Sequence, residues 1–458
     1  MEQMTVRDVV KATGGRLLCG DGDTPLIHIS INSQIMEGSD LFVPLIGAKV
    51  DAHRFIGQAF ENGAAATLTS EHDSMEDGHP WIRVADTKKA LQDIGAYYRR
   101  RFTLPLVGIT GSVGKTTTRE MIAAALSAGF RVYKTKKNLN SQVGVPITLC
   151  GITSADEVGV LELGMSEPGE LTVIARIADV DMAVITNVGV THIEQLGSQE
   201  NIFREKMTIQ DGLKDGGILL LNGDDELLKT ARAKDGCRTV TFGSGEHCDY
   251  RCEEVRIEDG YPLFTAVHGT RRIPVRLGIM GRHNIMNALA ALAVADLNGV
   301  PMEAAAGKLG EFHGFQNRQQ IYENRGITII DDTYNASPAS MEAGLEVLNS
   351  MTNAVRRIAV LADMKELGPQ AADFHRSIGR YIADHPVDMV FLLGELAAEI
   401  EKGILERGGS CSCYRFEGED RDGLKAKLCE VLAAGDCVLL KGSNSMKLGE
   451  VAAHLIHA

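Results

Sequence analysis

Basic residues are in the minority in this chain. Its 458 residues include 47 Lys and Arg against 61 Asp and Glu, which gives a formal net charge of −14. A protein that binds nucleic acid generally presents a basic face, so this balance argues against that class, and we expect no nucleic-acid partner. A nucleotide substrate stays open, because a few local donors are enough to bind one phosphate group.

Long apolar runs are also missing. No stretch approaches the ~18 consecutive apolar residues that a transmembrane helix needs. The first eight residues, MEQMTVRD, show no basic segment followed by an apolar run, which a secretory signal would require. We therefore expect no membrane span, no signal peptide and a cytoplasmic protein.

Cysteines are scattered rather than grouped. Of the nine cysteines, only Cys248/Cys252 and Cys411/Cys413 are close in sequence, and neither pair has a second pair of ligands at zinc-site spacing. We expect reduced thiols and no structural metal on this pattern. The chain also lacks internal repeats and low-complexity segments. A hydrophobic fraction of 44% is ordinary for a globular protein, and the length predicts about three domains at ~150 residues each.

The texture of the sequence changes twice along the chain. Residues 1–103 mix short strands and helices, including a predicted strand over Asp40–Leu45 and a predicted helix over Phe55–Asn62. From residue 104, apolar strands alternate with helical stretches, which is typical of a parallel sheet covered on both faces. These strands are predicted at Leu106–Ile109, Val158–Leu161, Met182–Ile185 and Ile218–Leu221.

Residues 250–280 interrupt that rhythm with alternating apolar positions, which predict a short antiparallel insert. Apolar strands resume after a boundary segment at His313–Asn317. The prediction is an α/β protein of three domains: a small mixed α/β N-terminal domain at 1–103, a central P-loop parallel-sheet domain with the insert at 104–313, and a C-terminal Rossmann-like α/β domain at 314–458.

A glycine-rich loop follows the first central strand and opens a helix. Its glycines let backbone N–H groups turn toward an anion, and the helix N-terminus adds positive potential. Lys115 is expected to contact the β- and γ-phosphates, and the Thr116 hydroxyl to ligate magnesium. The general P-loop pattern has a glycine where this chain has Ile109. The strand, loop and helix order still predicts a nucleotide-phosphate site formed by Gly111, Ser112, Val113, Gly114, Lys115, Thr116 and Thr117.

Two further side chains follow strands of the same predicted sheet. Glu162 ends the strand Val158–Leu161, and His192 lies in the segment after the next strand. The carboxyl ends of parallel strands meet at one edge, so Glu162 is placed to hold magnesium or water. A neutral histidine can also ligate a metal, although a solvated glutamate and a structural histidine are the ordinary alternatives for such residues taken singly.

Several motifs together resemble one family. They are the Gly111–Thr116 loop, Asn138-Leu-Asn140 followed by Gly144-Val-Pro146, Glu162-Leu-Gly164, and Asn187-x-Gly-x-x-His192. This set is similar to the Mur ligases, the ATP-dependent amide ligases of peptidoglycan precursor assembly. Within the family, the segments His192–Ser198, Asp331–Pro338 and Leu361–Gly368 resemble the members that join D-alanyl-D-alanine to UDP-N-acetylmuramoyl-tripeptide.

The resemblance implies roles for individual positions in the nucleotide site. Asn284 matches the segment on the adenine side of ATP, and Arg318 matches an arginine that reaches the phosphates from the third domain. Asp332 matches an acidic residue near the ribose, and Asn335 lies on the same loop. Thr116, Glu162 and His192 match magnesium ligands.

The resemblance also assigns Lys206, fourteen residues after His192, to a lysine carbamylated by carbon dioxide that orients a second magnesium ion. Without the family, a solvated helix lysine is the ordinary interpretation. The catalytic residues that the resemblance implies are Lys115, His192 and Lys206, with ATP and Mg²⁺ as cofactors.

The N-terminal segment resembles the uridine-nucleotide domain of the same ligases. The substrate-binding residues it implies there are Ser33, Gly47, Asp51 and His53, joined by Asn138 and Asn140 in the central domain. The chain departs from the family pattern at single positions. Gln34 replaces an arginine, Ala52 a glycine, Ser141 and Ser337 asparagines, and Glu205 a small residue.

The reaction that the resemblance implies has two steps. ATP phosphorylates the terminal carboxylate of the UDP-tripeptide, and the amine of D-alanyl-D-alanine then attacks the acyl phosphate, giving the pentapeptide, ADP and phosphate. We expect a monomer that closes its domains over ATP. The third tripeptide residue stays open between diaminopimelate and lysine.

Two alternatives stay open at this stage. One is another ligase of the superfamily, either a single-amino-acid Mur ligase or folylpolyglutamate synthetase. The other is a P-loop NTPase without ligase activity, although the chain lacks the Asn-Lys-x-Asp motif that reads guanine.

Overall fold

The computed structural model describes residues 1–258, 260–315 and 317–457. Residue 316 of the predicted boundary segment and residue 458, the predicted end of the third domain, lie outside the described residues. Within the described ranges, the strands form three larger sheets and one two-stranded pair. Each larger sheet belongs to one of three successive regions of the chain, in agreement with the predicted three-domain α/β class.

The N-terminal region is a mixed sheet with helices on it. Its elements are β1 (Met4–Thr5), α1 (Val6–Thr13), β2 (Arg16–Cys19), β3 (Pro25–Leu26), β4 (His28–Ser30), β5 (Asp40–Phe42), α2 (Ile56–Glu61), β6 (Ala64–Thr69), β7 (Trp81–Arg83) and α3 (Thr87–Arg99). The sheet order is β2-β7-β6-β5-β4, with β2 antiparallel to β7 and the other pairs parallel. Strand β5 ends at Phe42, three residues before the end of the strand predicted over Asp40–Leu45. Helix α2 begins at Ile56, one residue after the start of the helix predicted over Phe55–Asn62.

The central region is the largest sheet, with helices packed against it. Its elements are β8 (Leu106–Thr110), α4 (Lys115–Leu126), β9 (Val132–Lys134), α5 (Gly144–Leu149), β10 (Val158–Glu162), α6 (Glu170–Ala178), β11 (Val180–Ile185), α7 (Ile193–Leu196), α8 (Gln199–Met207), β12 (Leu213–Asn222), β13 (Arg238–Gly243), β14 (Tyr250–Glu258), β15 (Tyr261–His268), β16 (Arg271–Arg276), α9 (Asn284–Leu297) and α10 (Met302–Gly310). The strand order is β16-β15-β14-β13-β12-β11-β8-β10-β9.

The predicted antiparallel insert is an extension of that sheet. Strand β14 pairs in parallel with β13 and antiparallel with β15, and β15 pairs antiparallel with β16. At its far end, the Asp296 carboxylate of α9 accepts hydrogen bonds from Tyr250 at 2.7 Å and from Arg271. These bonds attach the extension to a helix that also lines the site described below.

The C-terminal region is a second doubly covered sheet. Its elements are β17 (Gln320–Asn324), β18 (Ile327–Asp332), α11 (Pro338–Ser350), β19 (Arg356–Ala362), α12 (Ala371–Asp384), β20 (Met389–Leu393), α13 (Ala398–Glu406), β21 (Ser412–Phe416), α14 (Arg421–Val431), β22 (Asp436–Lys441) and α15 (Leu448–His457). The order is β17-β18-β22-β19-β20-β21, and every pair is parallel except β17 with β18.

Burial on both faces explains the apolar runs in this sheet. Ile330, Leu361 and Leu439 pack into a core on one face, and their chain neighbours Ile329, Val360 and Leu440 pack into a core on the other face. Successive side chains of a strand point to opposite faces, so a strand that is covered on both sides is apolar at every position.

The strands of both sheets end at the same place in the molecule. In the central sheet β8 ends at Thr110 and β10 at Glu162, and in the C-terminal sheet β18 ends at Asp332 and β22 at Lys441. Glu162, Asp332 and Lys441 line one pocket. Ligands of open parallel sheets bind beyond the carboxyl ends of the strands, so this topology predicts a ligand-binding site in the pocket.

Among the residues that the structure describes, we find no helix with both the length and the apolar character needed to cross a membrane.

Two helices of the C-terminal domain approach each other through glycine. A Cβ at Gly379 of α12 would lie 1.9 Å from the Ile400 carbonyl oxygen, and a Cβ at Gly403 of α13 would lie 2.1 Å from the Arg376 carbonyl oxygen. We expect Gly379→Ala to force the helices apart and to lower the free energy of unfolding by about 1–3 kcal/mol, as overpacked cores do.

Gly307 of α10 is the matched control, since a Cβ there meets nothing within 4 Å. Gly307→Ala should raise the free energy of unfolding by about 0.4–1 kcal/mol, because alanine restricts the unfolded chain. The measurement is the urea midpoint followed by circular dichroism. An unchanged midpoint for Gly379→Ala would contradict the close helix approach.

Candidate active site

A pocket of about 500 Å³ lies between the central and C-terminal domains. It brings together most of the residues that the sequence predicts for nucleotide and metal binding. Those that line it are Ser112, Val113, Gly114, Lys115, Thr116, Thr117, Asn138, Asn140, Glu162, His192, Asn284, Arg318, Asp332 and Asn335. Gly111 begins the loop at the pocket edge, whereas Lys206 is buried behind it and the four predicted N-terminal residues lie elsewhere.

The loop between β8 and α4 needs both of its glycines. Gly111 has φ +154°, and a Cβ there would lie 1.9 Å from the Thr186 hydroxyl oxygen. Gly114 has φ +83°, in the left-handed region, and a Cβ there would lie 2.9 Å from Oδ1 of Asn287. Because glycine has no Cβ, the backbone at these two positions can pass close to Thr186 and Asn287. The loop can therefore follow the curved path that is typical of phosphate binding.

The segment after β11 holds this loop in place. Asn187 makes a reciprocal pair with Val113, in which its Oδ1 accepts from the backbone N–H and its Nδ2 donates to the carbonyl, both at 2.9 Å. The Thr186 hydroxyl donates to the same carbonyl at 2.7 Å, and the Ser112 hydroxyl accepts from the Gly189 N–H at 2.8 Å. The loop is therefore fixed before any ligand arrives.

Lys115 lies at the bottom of the pocket. Its Nζ donates to the Gly111 carbonyl oxygen at 2.7 Å. Burial lowers the pKa of Lys115 from its ordinary value; the Glu162 carboxylate opposes this shift and Arg318 adds to it. A partly buried ammonium whose hydrogen-bond acceptor is a neutral carbonyl can still gain from pairing with an anion.

Glu162 is held between two donors. Arg119 of α4 donates to its Oε2 at 3.2 Å, and Asn140 donates to its Oε1 at 2.8 Å. A carboxylate has about four lone-pair positions, so each oxygen keeps one free. Arg119 is itself buried and also pairs with its chain neighbour Glu120 at 2.6 Å. The sequence does not signal the contact of Arg119 with Glu162, because it joins a helix to a strand 43 residues away.

The donor set of the pocket fits magnesium. The Thr116 hydroxyl, the Glu162 carboxylate and the His192 ring line the same cavity, together with the Thr191 hydroxyl. The Thr191 oxygen is buried and has no hydrogen-bond partner among the residues described. Oxygen donors are the ligands that Mg²⁺ prefers, and an unpartnered buried hydroxyl is consistent with a ligand or a metal-bound water at this place.

His192 precedes α7 in a left-handed conformation, with φ +65°. Its Nδ1 lies 2.7 Å from Oε2 of Glu366, which belongs to the C-terminal domain. Burial lowers the pKa of His192, Glu366 opposes that shift, and Lys115 and Lys206 reinforce it. The net effect favours the neutral ring, which is the form that can ligate a metal.

Lys206 of α8 is fully buried close to the pocket. Burial lowers its pKa well below the ordinary value; Lys115 lowers it further, and Glu205 opposes the shift. The Glu205 carboxylate is already used, because it accepts from the backbone N–H groups of Gly169 at 2.9 Å and Leu171 at 3.1 Å at the start of α6. The unusual Glu205 is thus a helix cap, and the Lys206 amine has little counter-charge.

Arg318 crosses from the C-terminal domain to the phosphate loop. Its Nη2 donates to the Thr116 hydroxyl at 3.2 Å, and its guanidinium lies 4.1 Å from the ring centre of Tyr334. Its Nε is buried and finds no acceptor within the described part of the chain. The stacked ring fixes the plane of the guanidinium while one donor stays free for a ligand.

Asp332 and Asn335 lie on the C-terminal wall of the pocket. The Asp332 Oδ2 accepts from the Nζ of buried Lys441 at 2.7 Å, and the same Nζ donates to the Asn335 carbonyl at 3.1 Å. Sequence reasoning missed Lys441; the signal was a lysine that directly follows the apolar strand run Val438–Leu440, where burial is expected.

Asn284 starts α9 and is buried. Its Nδ2 donates to the Met280 carbonyl at 2.7 Å, and its Oδ1 accepts from Asn287 at 2.9 Å. Next to it, burial lowers the pKa of His283 to about 4, so that ring is neutral. Both side chains line the pocket.

The four predicted N-terminal residues are engaged locally. The Ser33 hydroxyl donates to Gln58 at 2.9 Å, and the Gly47 N–H donates to the Val50 carbonyl at 2.9 Å. The two ring nitrogens of His53 contact Asp51 Oδ1 at 2.7 Å and the Ser70 N–H at 3.0 Å. Asp51 and His53 line a second, shallow cavity with Lys49, Arg54 and Trp81.

Comparison with known proteins identifies the architecture. Three family models match the chain: the Mur ligase family catalytic domain over residues 26–99, the Mur ligase middle domain over 109–295, and the Mur ligase glutamate ligase domain over 317–444. The UDP-N-acetylmuramoyl-tripeptide–D-alanyl-D-alanine ligase of Bacillus subtilis (strain 168) is 37% identical over 463 residues, which cover 100% of this chain and 99% of the relative.

Solved structures agree with these matches. The crystal structure of MurF from Acinetobacter baumannii has a TM-score of 0.90 to this chain at 28% identity, and 99% of each chain is covered. The MurF ligase from Thermotoga maritima in complex with ADP has a TM-score of 0.81 at 28% identity, and covers 94% of this chain and 97% of its own.

These matches confirm both the predicted three-domain α/β class and the resemblance that the sequence motifs carry. Since the family models fall in all three regions of the chain and the Bacillus subtilis relative aligns over its whole length, the chain belongs to the Mur ligase family.

Proposed function

We propose that this protein is an ATP-dependent ligase that adds D-alanyl-D-alanine to UDP-N-acetylmuramoyl-tripeptide in peptidoglycan precursor synthesis. The observation that carries the proposal is the meeting of the phosphate loop with Arg318 and Asp332 in one pocket between two domains. The relatives that match the chain over nearly its full length bear the name of this ligase. The proposed division of the chain is 1–103 for the UDP-sugar, 104–313 for ATP, and 314–458 for closure and the dipeptide.

In this proposal the triphosphate of ATP binds residues 111–117. Backbone N–H groups surround the α- and β-phosphates, and the Lys115 ammonium lies between β and γ. Arg318 contributes its free donor from the opposite domain. The base lies near Asn284, and the ribose near Asp332 and Asn335. The buried cations gain a counter-charge when the phosphates arrive, which favours binding.

Thr116, Glu162 and His192 would hold magnesium, which supplies positive charge next to the γ-phosphoryl group. Lys206 is proposed to carry a carbamate. Burial lowers the pKa of its amine, which favours the neutral form that attacks carbon dioxide, forming a C–N bond and releasing one proton. The resulting anion would lie close to Lys115, whose charge stabilises it.

The chemical step follows from this arrangement. The terminal carboxylate of the UDP-tripeptide attacks the γ-phosphorus, and ADP leaves. The amine of D-alanyl-D-alanine attacks the acyl carbonyl carbon, loses a proton, and displaces phosphate. Lys115 and Arg318 stabilise the charge on the transferring group. Because water would hydrolyse the acyl phosphate, the two domains must enclose it.

The sugar nucleotide is proposed to contact the N-terminal domain through Ser33, Gly47, Asp51 and His53, and to extend to Asn138 and Asn140 at the pocket. Its uridine diphosphate and the ATP consumed are cytoplasmic metabolites, so we propose a cytoplasmic enzyme that acts as a monomer.

The direct test is mass spectrometry of the products from ATP, D-alanyl-D-alanine and each of two UDP-tripeptides, ending in diaminopimelate or lysine. The expected product is the pentapeptide from at least one of them. Ligation of single amino acids or folates instead would favour another superfamily ligase, and ATP hydrolysis without any acceptor would favour a non-ligase NTPase.

Lys115→Ala should lower kcat by about 10³-fold or more, as expected when a charge that stabilises phosphoryl transfer is removed. The fold should persist, because the Lys115 amine bonds to the loop backbone and not to a core. Phosphate release measures the loss, and circular dichroism checks the fold. Lys229→Ala, at a surface lysine paired with Glu226, is the control and should keep full activity. A folded Lys115→Ala enzyme with normal turnover would remove the phosphate-loop role.

Lys206→Ala should lose activity and recover part of it with added short-chain carboxylates, which can occupy the place of the carbamate. Lys206→Arg places a cation at this position but cannot form the carbamate. It should therefore be as inactive as Lys206→Ala. A ¹³C signal from the enzyme equilibrated with ¹³CO₂ should appear in the wild type and vanish in both variants. Full activity of Lys206→Arg would refute carbamylation.

The reaction path is tested with oxygen-18 in the terminal carboxylate of the tripeptide. A loop that encloses the α- and β-phosphates leaves the γ-phosphorus exposed, so the expected products are ADP and labelled phosphate. Label in AMP, with release of pyrophosphate, would show attack at the α-phosphorus and contradict this placement of ATP.

A further inference from the structure

Cys411 and Cys413 are two thiols that the structure brings into contact at the edge of the C-terminal sheet. Their Sγ atoms lie 3.9 Å apart. Strand β21 begins at Ser412, is the outermost strand of its sheet and pairs with β20. Side chains two positions apart in an extended segment point to the same face, so the two thiols share one side of the chain. The contact lies outside the set of residues that line the pocket between the domains.

The other cysteines that are close in sequence are enclosed. Cys248 and Cys252 are only 4% and 7% exposed in the central domain. Cys411 and Cys413 are partly exposed, although both pack against the core of the C-terminal domain that contains Ile400 of α13. The core holds the two thiols from one side, and a small reagent in solution can reach them more readily than it can reach the central pair.

The chain just before β21 can adjust its path. Cys411 lies outside the paired part of the strand, which begins at Ser412. Gly408, with φ +76°, and Gly409 precede it. An extended chain separates Cα atoms two positions apart by up to about 6.6–7.2 Å, close to the upper limit of about 6.8 Å for a disulfide. The sulfurs must approach by about 2 Å to bond. Closing that bond therefore requires a bend at Ser412, next to a segment that is free of strand pairing.

The contact also gives the two thiols different reactivity. The hydrogen bond with Cys413 lowers the pKa of Cys411, and burial opposes this shift. The same bond raises the pKa of Cys413, and burial adds to that shift. The Glu401 carboxylate raises both pKa values; the Arg415 guanidinium, which pairs with Glu401, lowers that of Cys413. The thiolate is the form that attacks a disulfide, so Cys411 is the first nucleophile of the pair.

We propose that Cys411 and Cys413 form a redox-active thiol pair that a low-molecular-weight disulfide converts reversibly to an intramolecular disulfide. The Cys411 thiolate attacks one sulfur of the small disulfide, forms a mixed disulfide and releases one thiolate, which takes up a proton. Cys413 then loses its proton to solvent, attacks the Cys411 sulfur and releases the second small thiol. The two cysteines lose two electrons and two protons in total, and the small disulfide is reduced to two thiols. These steps use neither ATP nor a UDP-tripeptide, so the proposal does not depend on the proposed function.

The test exposes the 458-residue chain to oxidised glutathione, blocks the remaining thiols with N-ethylmaleimide, and maps the digested peptides by mass spectrometry. The wild-type peptide that contains Cys411 and Cys413 should lose two hydrogen atoms and carry no glutathione. Dithiothreitol should restore both thiols. In Cys413→Ser the reaction should stop at the mixed disulfide, so Cys411 should retain glutathione. Circular dichroism checks that this variant folds.

Cys429 is the matched control, because it is a single exposed thiol on α14 of the same domain. It should retain glutathione in the same sample, which shows that the oxidant has reacted. Cys429→Ser should leave the oxidation of Cys411 and Cys413 unchanged. If these two stay free or keep glutathione while Cys429 is modified, the proposal is wrong. Disulfide-linked dimers of Cys429→Ser through Cys411 or Cys413 would also overturn it.

A second measurement distinguishes the closed disulfide from adducts in the wild type alone. Closure releases two molecules of reduced glutathione for each oxidised glutathione consumed, whereas a mixed disulfide releases one. When both forms of glutathione are doubled at a constant ratio, the ratio of oxidised to reduced pair should fall about twofold by mass action. The glutathione content of Cys429 should not change. An unchanged ratio for Cys411 and Cys413 would contradict intramolecular closure.

Discussion

The withdrawal of two lysine amines from water, with Lys115 partly buried and Lys206 fully buried, is the constraint on which the site depends. Burial lowers the pKa of both amines, and the charge of Lys115 lowers the pKa of Lys206 further. A buried charge without a partner is costly, so the folded protein either neutralises it or supplies an anion. The other buried cations of the pocket already have partners, since Arg119 pairs with Glu162 and Lys441 with Asp332. Two amines are left: in the proposed function the triphosphate supplies a counter-charge to Lys115, and carbamylation would turn the Lys206 amine itself into an anion close to Lys115.

This charge balance also explains why the local carboxylates are distributed as they are. Glu205, next to Lys206 in the chain, is turned away to cap α6 and accepts two backbone N–H groups. Glu162 is held by Arg119 and Asn140, so it cannot collapse onto Lys115. If Glu162 or Glu205 paired with one of these lysines, the lysine charge would already be neutralised within the protein. The pocket would then bind an anionic substrate more weakly. The surrounding structure keeps the acids occupied and the amines available.

The sequence predicts much of the central site because its signals are local. A strand, two glycines and a lysine that opens a helix lie within ten residues, and the apolar strands of both sheets are continuous runs because both faces are covered. The residues that escaped prediction act across long separations. Arg119 reaches Glu162, Lys441 reaches Asp332 from another strand, and Glu366 reaches His192 from another domain. Each is a common charged residue whose partner is not marked in the sequence, and only the packing of sheets and domains brings the two together. The insert shows the same limit of local signals. Its alternating apolar and polar residues predict antiparallel strands, but they do not predict that these strands extend the central sheet by pairing with β13.

Contacts between the central and C-terminal domains fall at two sides of the phosphate loop. On one side Arg318 donates a hydrogen bond to Thr116, the residue directly after Lys115; on the other, the Glu366 carboxylate lies 2.7 Å from Nδ1 of His192. Both central-domain partners are residues that would hold magnesium in the proposed function, so the C-terminal domain contacts the site through the candidate metal ligands. An arrangement in which the domains separate would release the guanidinium from the hydroxyl and the carboxylate from the imidazole together, because each pair is carried by a rigid loop. In the proposed function, water would hydrolyse the acyl phosphate, so the two domains must enclose it. A site whose candidate metal ligands are contacted by the enclosing domain would then form its reactive intermediate only where that intermediate is protected.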